Sequence, residues 1–443
     1  MIFDFEQLRA RVARREATIG VVGMGYVGLP LALAAVAAGF RVVGFDVDQA
    51  KPQAVRAGRS YLAHIPDSAV AAGVAAGLRA TDDFSGLVET DAILVCVPTP
   101  LTRHRDPDLS FVERTGETIA AHLRPGQLVV LESTTWPGTT QEVLRPILDR
   151  SGLVCGADYF LAFSPEREDP GNRDFETKTI AKVVGADDEK SRTLALTFYG
   201  GIVDKVVGVS TARAAEAAKL TENIFRAVNI ALVNELKVVF DRMDIDVWEV
   251  IDAARTKPFG FMPFYPGPGL GGHCIPIDPF YLTWKAREYG LSTRFIELAG
   301  EINTEMPRYV VDRLGAALDR ALQRGFVGTQ ILVVGVAYKK NIDDMRESPA
   351  LTIIEMLEAR GARVAFFDPL VPVLPPTREH PKLAGRVSLA AAELRAGAFA
   401  AAVVVTDHDG VDYAAVAGCA AVVVDTRNVF ARQGVAADNI VKA

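Results

Sequence analysis

The sequence predicts an α/β protein in which two doubly wound parallel-sheet domains are joined by a long-helix central region. Three observations predict it. Short unbroken apolar runs such as Thr18–Val22 and residues 92–97 have the composition of strands buried on both faces, and they alternate with alanine-rich helical segments. A second series of such runs occupies residues 331–425. Between the two series, residues 211–243 (TARAAEAAKLTENIFRAVNIALVNELKVVFDRM) keep a helical period with almost no breaker. At 443 residues the chain exceeds what one hydrophobic core serves, and the expected divisions are 1–209, 210–325 and 326–443.

Composition narrows the class of function. A hydrophobic fraction of 49% fits a well-packed globular chain, and a net charge of -7 argues against a nucleic-acid or acidic-membrane surface. The four cysteines, Cys96, Cys155, Cys274 and Cys419, lie far apart without a CxxC pair, so neither a metal site nor a disulfide framework is expected. The N-terminal residues carry both signs of charge and no apolar signal core, and the longest apolar run, residues 29–40, is too short to cross a bilayer. A cytoplasmic protein without a membrane partner is expected.

After a short amphipathic opening helix, the strand Thr18–Val22 leads into Gly23-Met24-Gly25-Tyr26-Val27-Gly28, a helical run, and a strand over Arg41–Phe45 that ends at Asp46. This order reads as a Rossmann-like dinucleotide site. The glycines let a pyrophosphate approach the helix N-terminus, and the terminal carboxylate takes the ribose hydroxyls. Because Asp46 repels a 2′-phosphate and Val47 and Asp48 follow it, NAD is expected over NADP. The next strand ends carry Pro98-Thr99-Pro100, Glu132-Ser133-Thr134-Thr135 and Ser164-Pro165-Glu166-Arg167; the first two should line the nicotinamide side, where doubly wound sheets bind ligands. Lys219 and Asn223 lie four apart on one face of the long helix. A second helical stretch is expected from Tyr281 to Tyr289 and on toward Arg320. The C-terminal sheet has only Gly335 where the first has three glycines, and should bind a different, nucleotide-like ligand.

The loop Gly267-Pro268-Gly269-Leu270-Gly271-Gly272-His273-Cys274-Ile275-Pro276-Ile277-Asp278-Pro279 organises the central region. Its glycines and prolines cannot continue a helix, and the glycines allow close approach to a ligand. His273 and Asp278 are polar company that a merely packing cysteine does not need, so Cys274 reads as a nucleophilic thiolate.

Assembled in order, GMGYVG, Asp46, VCVPTP, ESTTWPG, SPER, AAKLTEN, GPGLGGHCIPIDP, YKKNIDDMRESPA and DTRNVF resemble the UDP-sugar 6-dehydrogenases along nearly the whole chain. The resemblance implies twofold oxidation of a sugar C6 alcohol to the acid, with two NAD consumed and a Cys274 thiohemiacetal and thioester on the way. It implies oxyanion stabilisation by Lys219 and Asn223, water binding by Asp278 and Thr134, and general-base work by Glu166. It also implies substrate contacts from Glu166, Arg167, Lys219, Asn223, Gly271, Tyr338, Lys339 and Arg427, with Arg255 reaching from a dimer partner. Gly23 to Gly28, Asp46, Pro98, Thr99, Thr134 and Arg346 would face the cofactor. Ile277 before Asp278, and Arg167 after Glu166, depart from the UDP-glucose branch. The look is closest to UDP-N-acetylglucosamine 6-dehydrogenases of surface polysaccharide synthesis, with UDP-N-acetylmannosamine or UDP-glucose as the alternative substrate. A catalytically silent nucleotide-sugar-binding protein would be expected to lose Cys274, Lys219 or Asp278.

Overall fold

The computed structural model describes residues 4–62, 64–102, 106–167, 178–272 and 274–443, in two compact units: residues 1–222 with 280–292, and residues 223–279 with 293–443.

The first unit is built on an eight-stranded sheet. Its strands are β1 (Thr18–Val22), β2 (Arg41–Phe45), β3 (Leu78–Thr81), β4 (Ala92–Val95), β5 (Leu128–Leu131), β6 (Phe160–Phe163), β7 (Lys182–Gly185) and β8 (Val206–Val209), in the order β3-β2-β1-β4-β5-β6-β7-β8. Strands β4, β5 and β6 are buried at every position, which is why they read as continuous apolar runs. All pairings are parallel except β6 with β7, which run antiparallel through Phe163 and Gly185. That reversal matters for the site, because it brings the start of β7 to the carboxyl edge of β5 and β6. Strand order reverses around β1, the switch point at which such sheets bind ligands.

The second unit holds a five-stranded parallel sheet, β9 (Gln330–Val334), β10 (Arg363–Phe367), β11 (Phe399–Val404), β12 (Ala420–Asp425) and β13 (Ile440–Lys442), in the order β10-β9-β11-β12-β13. The α/β class with two parallel-dominated sheets and a helical centre is thus as the sequence predicts. The helix Ala212–Arg242 runs for 31 residues, close to the expected span.

Two expectations need correction. The helical stretch from Tyr281 toward Arg320 is two helices, Asp278–Glu288 and Arg294–Leu322, parted at Gly290, whose φ of 69° is left-handed. And Asp278-Pro279 opens the first of these helices rather than closing the loop: proline is tolerated in a first turn, where its missing N–H has no partner anyway, and a carboxylate there is favoured by the helix dipole.

Candidate active site

In the first unit the three glycines divide the work. At Gly23 φ is 91°, and a Cβ there would lie 2.7 Å from the Cys96 carbonyl oxygen. A Cβ on Gly28 would lie 1.9 Å from the Gly23 carbonyl oxygen, so the helix Gly28–Ala37 begins pressed against the turn. A Cβ on Gly25 would meet nothing within 4 Å. The middle glycine therefore faces open space; the helix that follows has Val27 at its N-cap with no side-chain cap, its Leu29 N–H returns to the Gly25 carbonyl at 3.1 Å and Pro30 has none, so it is the positive end of the helix dipole that favours an anion here. Met24 sends its N–H to Asp46 Oδ2 at 2.8 Å and its carbonyl accepts from the Tyr61 hydroxyl at 2.5 Å, while Tyr26 stacks on His64. Asp46 is buried; Oδ1 accepts the Asp48 N–H at 2.9 Å, and Oδ2 also meets Lys51 Nζ at 3.0 Å. Beyond β4, Pro98 precedes Thr99, whose hydroxyl donates to the Thr134 carbonyl at 2.7 Å and ties the ends of β4 and β5 together. The open glycine, the helix N-terminus and the carboxylate at the end of β2 fit a bound NAD.

Farther along the same edge lies a group only partly legible in the sequence. Glu166, after β6, is 16% exposed and sits 3.5 Å from Lys182 Nζ. Lys182, nearly buried, meets Glu132 at 2.7 Å, and Glu132, wholly buried, accepts the Tyr199 hydroxyl. Burial pushes the Glu132 pKa up. Burial alone would lower that of Lys182, but the Glu132 and Glu166 carboxylates outweigh it and hold the ammonium above its ordinary value. Arg167 is engaged with the protein: it pairs with Glu222 at 2.7 Å and donates to the Ala181 carbonyl at 2.5 Å. Lys219 is 8% exposed on the helix Ala212–Arg242. Three residues before it, buried Glu216 accepts the N–H groups of Gly138 at 2.5 Å and Thr140 at 2.9 Å, fixing this turn to the loop that follows Thr134.

In the second unit Cys274 is exposed. Its carbonyl accepts the N–H of Asp278 at 2.8 Å and of Ile277 at 3.2 Å, so the chain coils from the cysteine straight into the helix Asp278–Glu288. Asp278 is 1% exposed, and Asn223 Nδ2 donates to its Oδ2 at 2.5 Å. His273 lies outside the described residues.

The loop glycines serve packing against the protein itself. A Cβ on Gly271 would come within 2.6 Å of Tyr338 Cβ, one on Gly272 (φ 83°) within 2.8 Å of the Tyr338 ring, and one on Gly267 within 2.6 Å of Arg427 Nη1. The Gly272 N–H donates to the Arg346 carbonyl at 2.8 Å. The structure thus brings Cys274, Asp278, Asn223, Gly271, Tyr338, Arg346 and Arg427 onto one framework. Lys339 follows Tyr338 half-buried; Arg346 is exposed and gripped by Asp344 at 2.6 Å; Arg427 Nε donates to the Val405 carbonyl at 2.9 Å. Arg255 stands apart, exposed beside the Tyr265 hydroxyl at 3.3 Å and Asp252.

Comparison with known proteins decides the lineage. Models of the UDP-glucose/GDP-mannose dehydrogenase family match in chain order: the NAD binding domain over residues 17–203, the central domain over 213–305 and the UDP binding domain over 332–432. A UDP-N-acetyl-D-glucosamine 6-dehydrogenase of Pseudomonas aeruginosa is 37% identical over 81% of this chain and 84% of its own. The chain belongs to the UDP-glucose/GDP-mannose dehydrogenase family. A UDP-N-acetyl-D-mannosamine dehydrogenase of Salmonella typhi is 36% identical over 93% of this chain and 99% of its own. The solved structure of a UDP-D-ManNAc dehydrogenase from Pyrococcus horikoshii superposes with a TM-score of 0.84 at 33% identity, over 93% of this chain and 96% of that one. This member of the family is accordingly an NAD-dependent oxidoreductase of nucleotide sugars. Among its described residues no helix is long and apolar enough to cross a membrane.

Proposed function

We propose that the enzyme oxidises the C6 alcohol of a UDP-N-acetylhexosamine, foremost UDP-N-acetylglucosamine, to the uronic acid. Bound NAD supplies the hydride acceptor for both oxidations. The Cys274 thiolate adds to the C6 aldehyde; loss of a second hydride leaves a thioester, and water then releases the acid and returns the thiol. Lys219 and Asn223 stabilise the oxygen charge that develops at C6, Asp278 binds water and orients Lys219, Thr134 positions the attacking water and Glu166 takes its proton. Gly271, Tyr338, Lys339, Arg167 and Arg427 hold the nucleotide sugar, Arg346 lies toward the cofactor, and Arg255 serves the site of a second copy in a homodimer. The divisions 1–209, 210–325 and 326–443 correspond to cofactor, dimer and UDP-sugar functions.

One observation carries this reading: an exposed cysteine whose carbonyl nucleates the turn of Asp278, itself a buried carboxylate held at 2.5 Å by Asn223. A cysteine kept only for packing would be covered, and a buried carboxylate kept for nothing would be costly. Relatives named for N-acetylated sugars support that class over UDP-glucose. The Salmonella typhi relative, matched along almost the whole chain, supports UDP-N-acetylmannosamine as the second reading. NADH formation from NAD with UDP-N-acetylglucosamine, UDP-N-acetylmannosamine and UDP-glucose in turn tests it. The first should give the highest kcat/KM; a tenfold advantage for either of the others would displace it.

A further inference from the structure

The loop that carries Cys274 is fastened to the long helix at both of its ends. At the far end Asn223 donates to Asp278. At the near end the Gly267 N–H donates to Asn234 Oδ1 at 2.9 Å. Asn223 and Asn234 stand eleven residues apart on the helix Ala212–Arg242, about three turns, so their side chains leave the same face. Asn234 is wholly buried, and its neighbours fix which way its amide points. Its Nδ2 donates to Asn303 Oδ1 at 2.8 Å, and Asn303 Nδ2, on the helix Arg294–Leu322, donates to the Ala227 carbonyl at 3.1 Å. The two ends of this chain set its polarity. A carbonyl can only accept, so Asn303 presents its nitrogen to Ala227 and its oxygen to Asn234. Asn234 must then use its nitrogen on Asn303, which leaves its oxygen for the Gly267 N–H.

We propose that Asn234, oriented by Asn303, is a positioning residue: it anchors the start of the Cys274 loop so that the thiol captures the C6 aldehyde before the aldehyde escapes. This rests on the nucleophile role given to Cys274 above. Gly267 is where an anchor is needed. A Cβ there would come within 2.6 Å of Arg427 Nη1, and one on Gly269 (φ 132°) would lie 3.2 Å from Pro349 Cβ and 3.4 Å from Pro307 Cδ. Close packing thus keeps Gly267-Pro268-Gly269 free of any side chain beyond the proline ring, and glycine backbone is the most freely rotating kind. A side-chain oxygen that is itself held in place grips the backbone where the loop has nothing of its own to grip with. With both anchors present the segment bearing Cys274 is confined between two fixed points. Without the near one, Gly267 keeps a buried donor that has lost its partner, and the loop moves to find another.

The test uses the full-length enzyme with NAD and the fastest oxidised of the three UDP-sugars named above. Its readout is NADH released per sugar consumed, a ratio that does not change when part of the protein is unfolded. Asn234→Leu should bring the ratio at least halfway from two towards one, with free aldehyde recovered as a hydrazone, because a displaced thiol loses about tenfold or more in the rate of capture. Asn234→Asp keeps an oxygen for the Gly267 N–H but sets oxygen against oxygen at Asn303. It should lower the denaturant midpoint and still give close to two. Asn303→Leu, which lets the Asn234 amide turn over, should fall between them. Cys274→Ala is the reference. If it gives at most one NADH while Asn234→Leu gives two, or while Asn234→Asp falls as far as Asn234→Leu, the positioning role is overturned and the nucleophile reading stands. If Cys274→Ala itself gives two, the nucleophile reading fails, and amide hydrogen exchange decides the anchor: Gly267 should exchange about tenfold faster in Asn234→Leu than in the parent or Asn234→Asp, and equal rates would overturn it.

Discussion

Asp46 carries the cofactor choice in a single carboxylate. Two backbone N–H groups fix the carboxylate at the end of β2, and about 1.4 kcal/mol of repulsion toward a 2′-phosphate suffices for a factor of ten. The parent enzyme should therefore show at least tenfold higher kcat/KM with NAD than with NADP; equal values would remove the argument. Lys51 Nζ lies 3.0 Å from Asp46 Oδ2. At this scale the sequence was informative wherever a residue's job follows from its neighbours in the chain. Gly23, Gly25, Gly28 and Asp46 sit in a fixed order of strand, turn, helix and strand, and Cys274 sits four residues before Asp278, the spacing of one helical turn. Lys182 was not legible. Nothing in the stretch KVVG says that the strand is antiparallel to the one before it, and its partners Glu132 and Glu166 are 50 and 16 residues away.

The helix Ala212–Arg242 shows the same division among elements. Its length and period were plain, but the role of Glu216 was not, because a glutamate inside a helical run ordinarily faces solvent. Here it is buried and takes two loop N–H groups and the Thr140 hydroxyl. Glu216→Leu leaves those donors unpaired and should lower unfolding free energy by about 3 kcal/mol, read as a shifted denaturant midpoint with unchanged slope; a loss below about 1 kcal/mol would mean that the loop finds other partners. The sequence reading carried one helical stretch from Tyr281 to Tyr289 and on toward Arg320, across the break at Gly290. Along the long helix Phe225, Leu232 and Val239 repeat every seven residues, and all three are exposed. Phe295 and Leu298 on the helix Arg294–Leu322 are exposed as well. Such a stripe is what a self-complementary partner covers. Sedimentation at micromolar concentration should give a homodimer and Leu232→Glu should weaken it at least tenfold; a fully active monomeric parent would contradict this.

Across the whole molecule the two sheets repeat one device to different ends. Gly335 has φ of 78° and Asp368 ends β10, as Gly23 and Asp46 do around β1 and β2. Asp368, however, accepts the N–H groups of Val336 and Ala337 and is met by buried His408 at 3.1 Å, while His408 Nδ1 accepts the Asn341 N–H. The carboxylate is engaged in holding the loop that bears Tyr338 and Lys339. The sequence suggested a different ligand from the missing glycines; it could not show that a histidine 40 residues away meets this carboxylate. These parts serve one claim, that a four-electron oxidation passes through Cys274. NADH released per UDP-sugar consumed measures it directly. The parent should give two, and folded Cys274→Ala at most one, with aldehyde as the product; a Cys274→Ala enzyme still giving two at near-parent turnover would contradict the account.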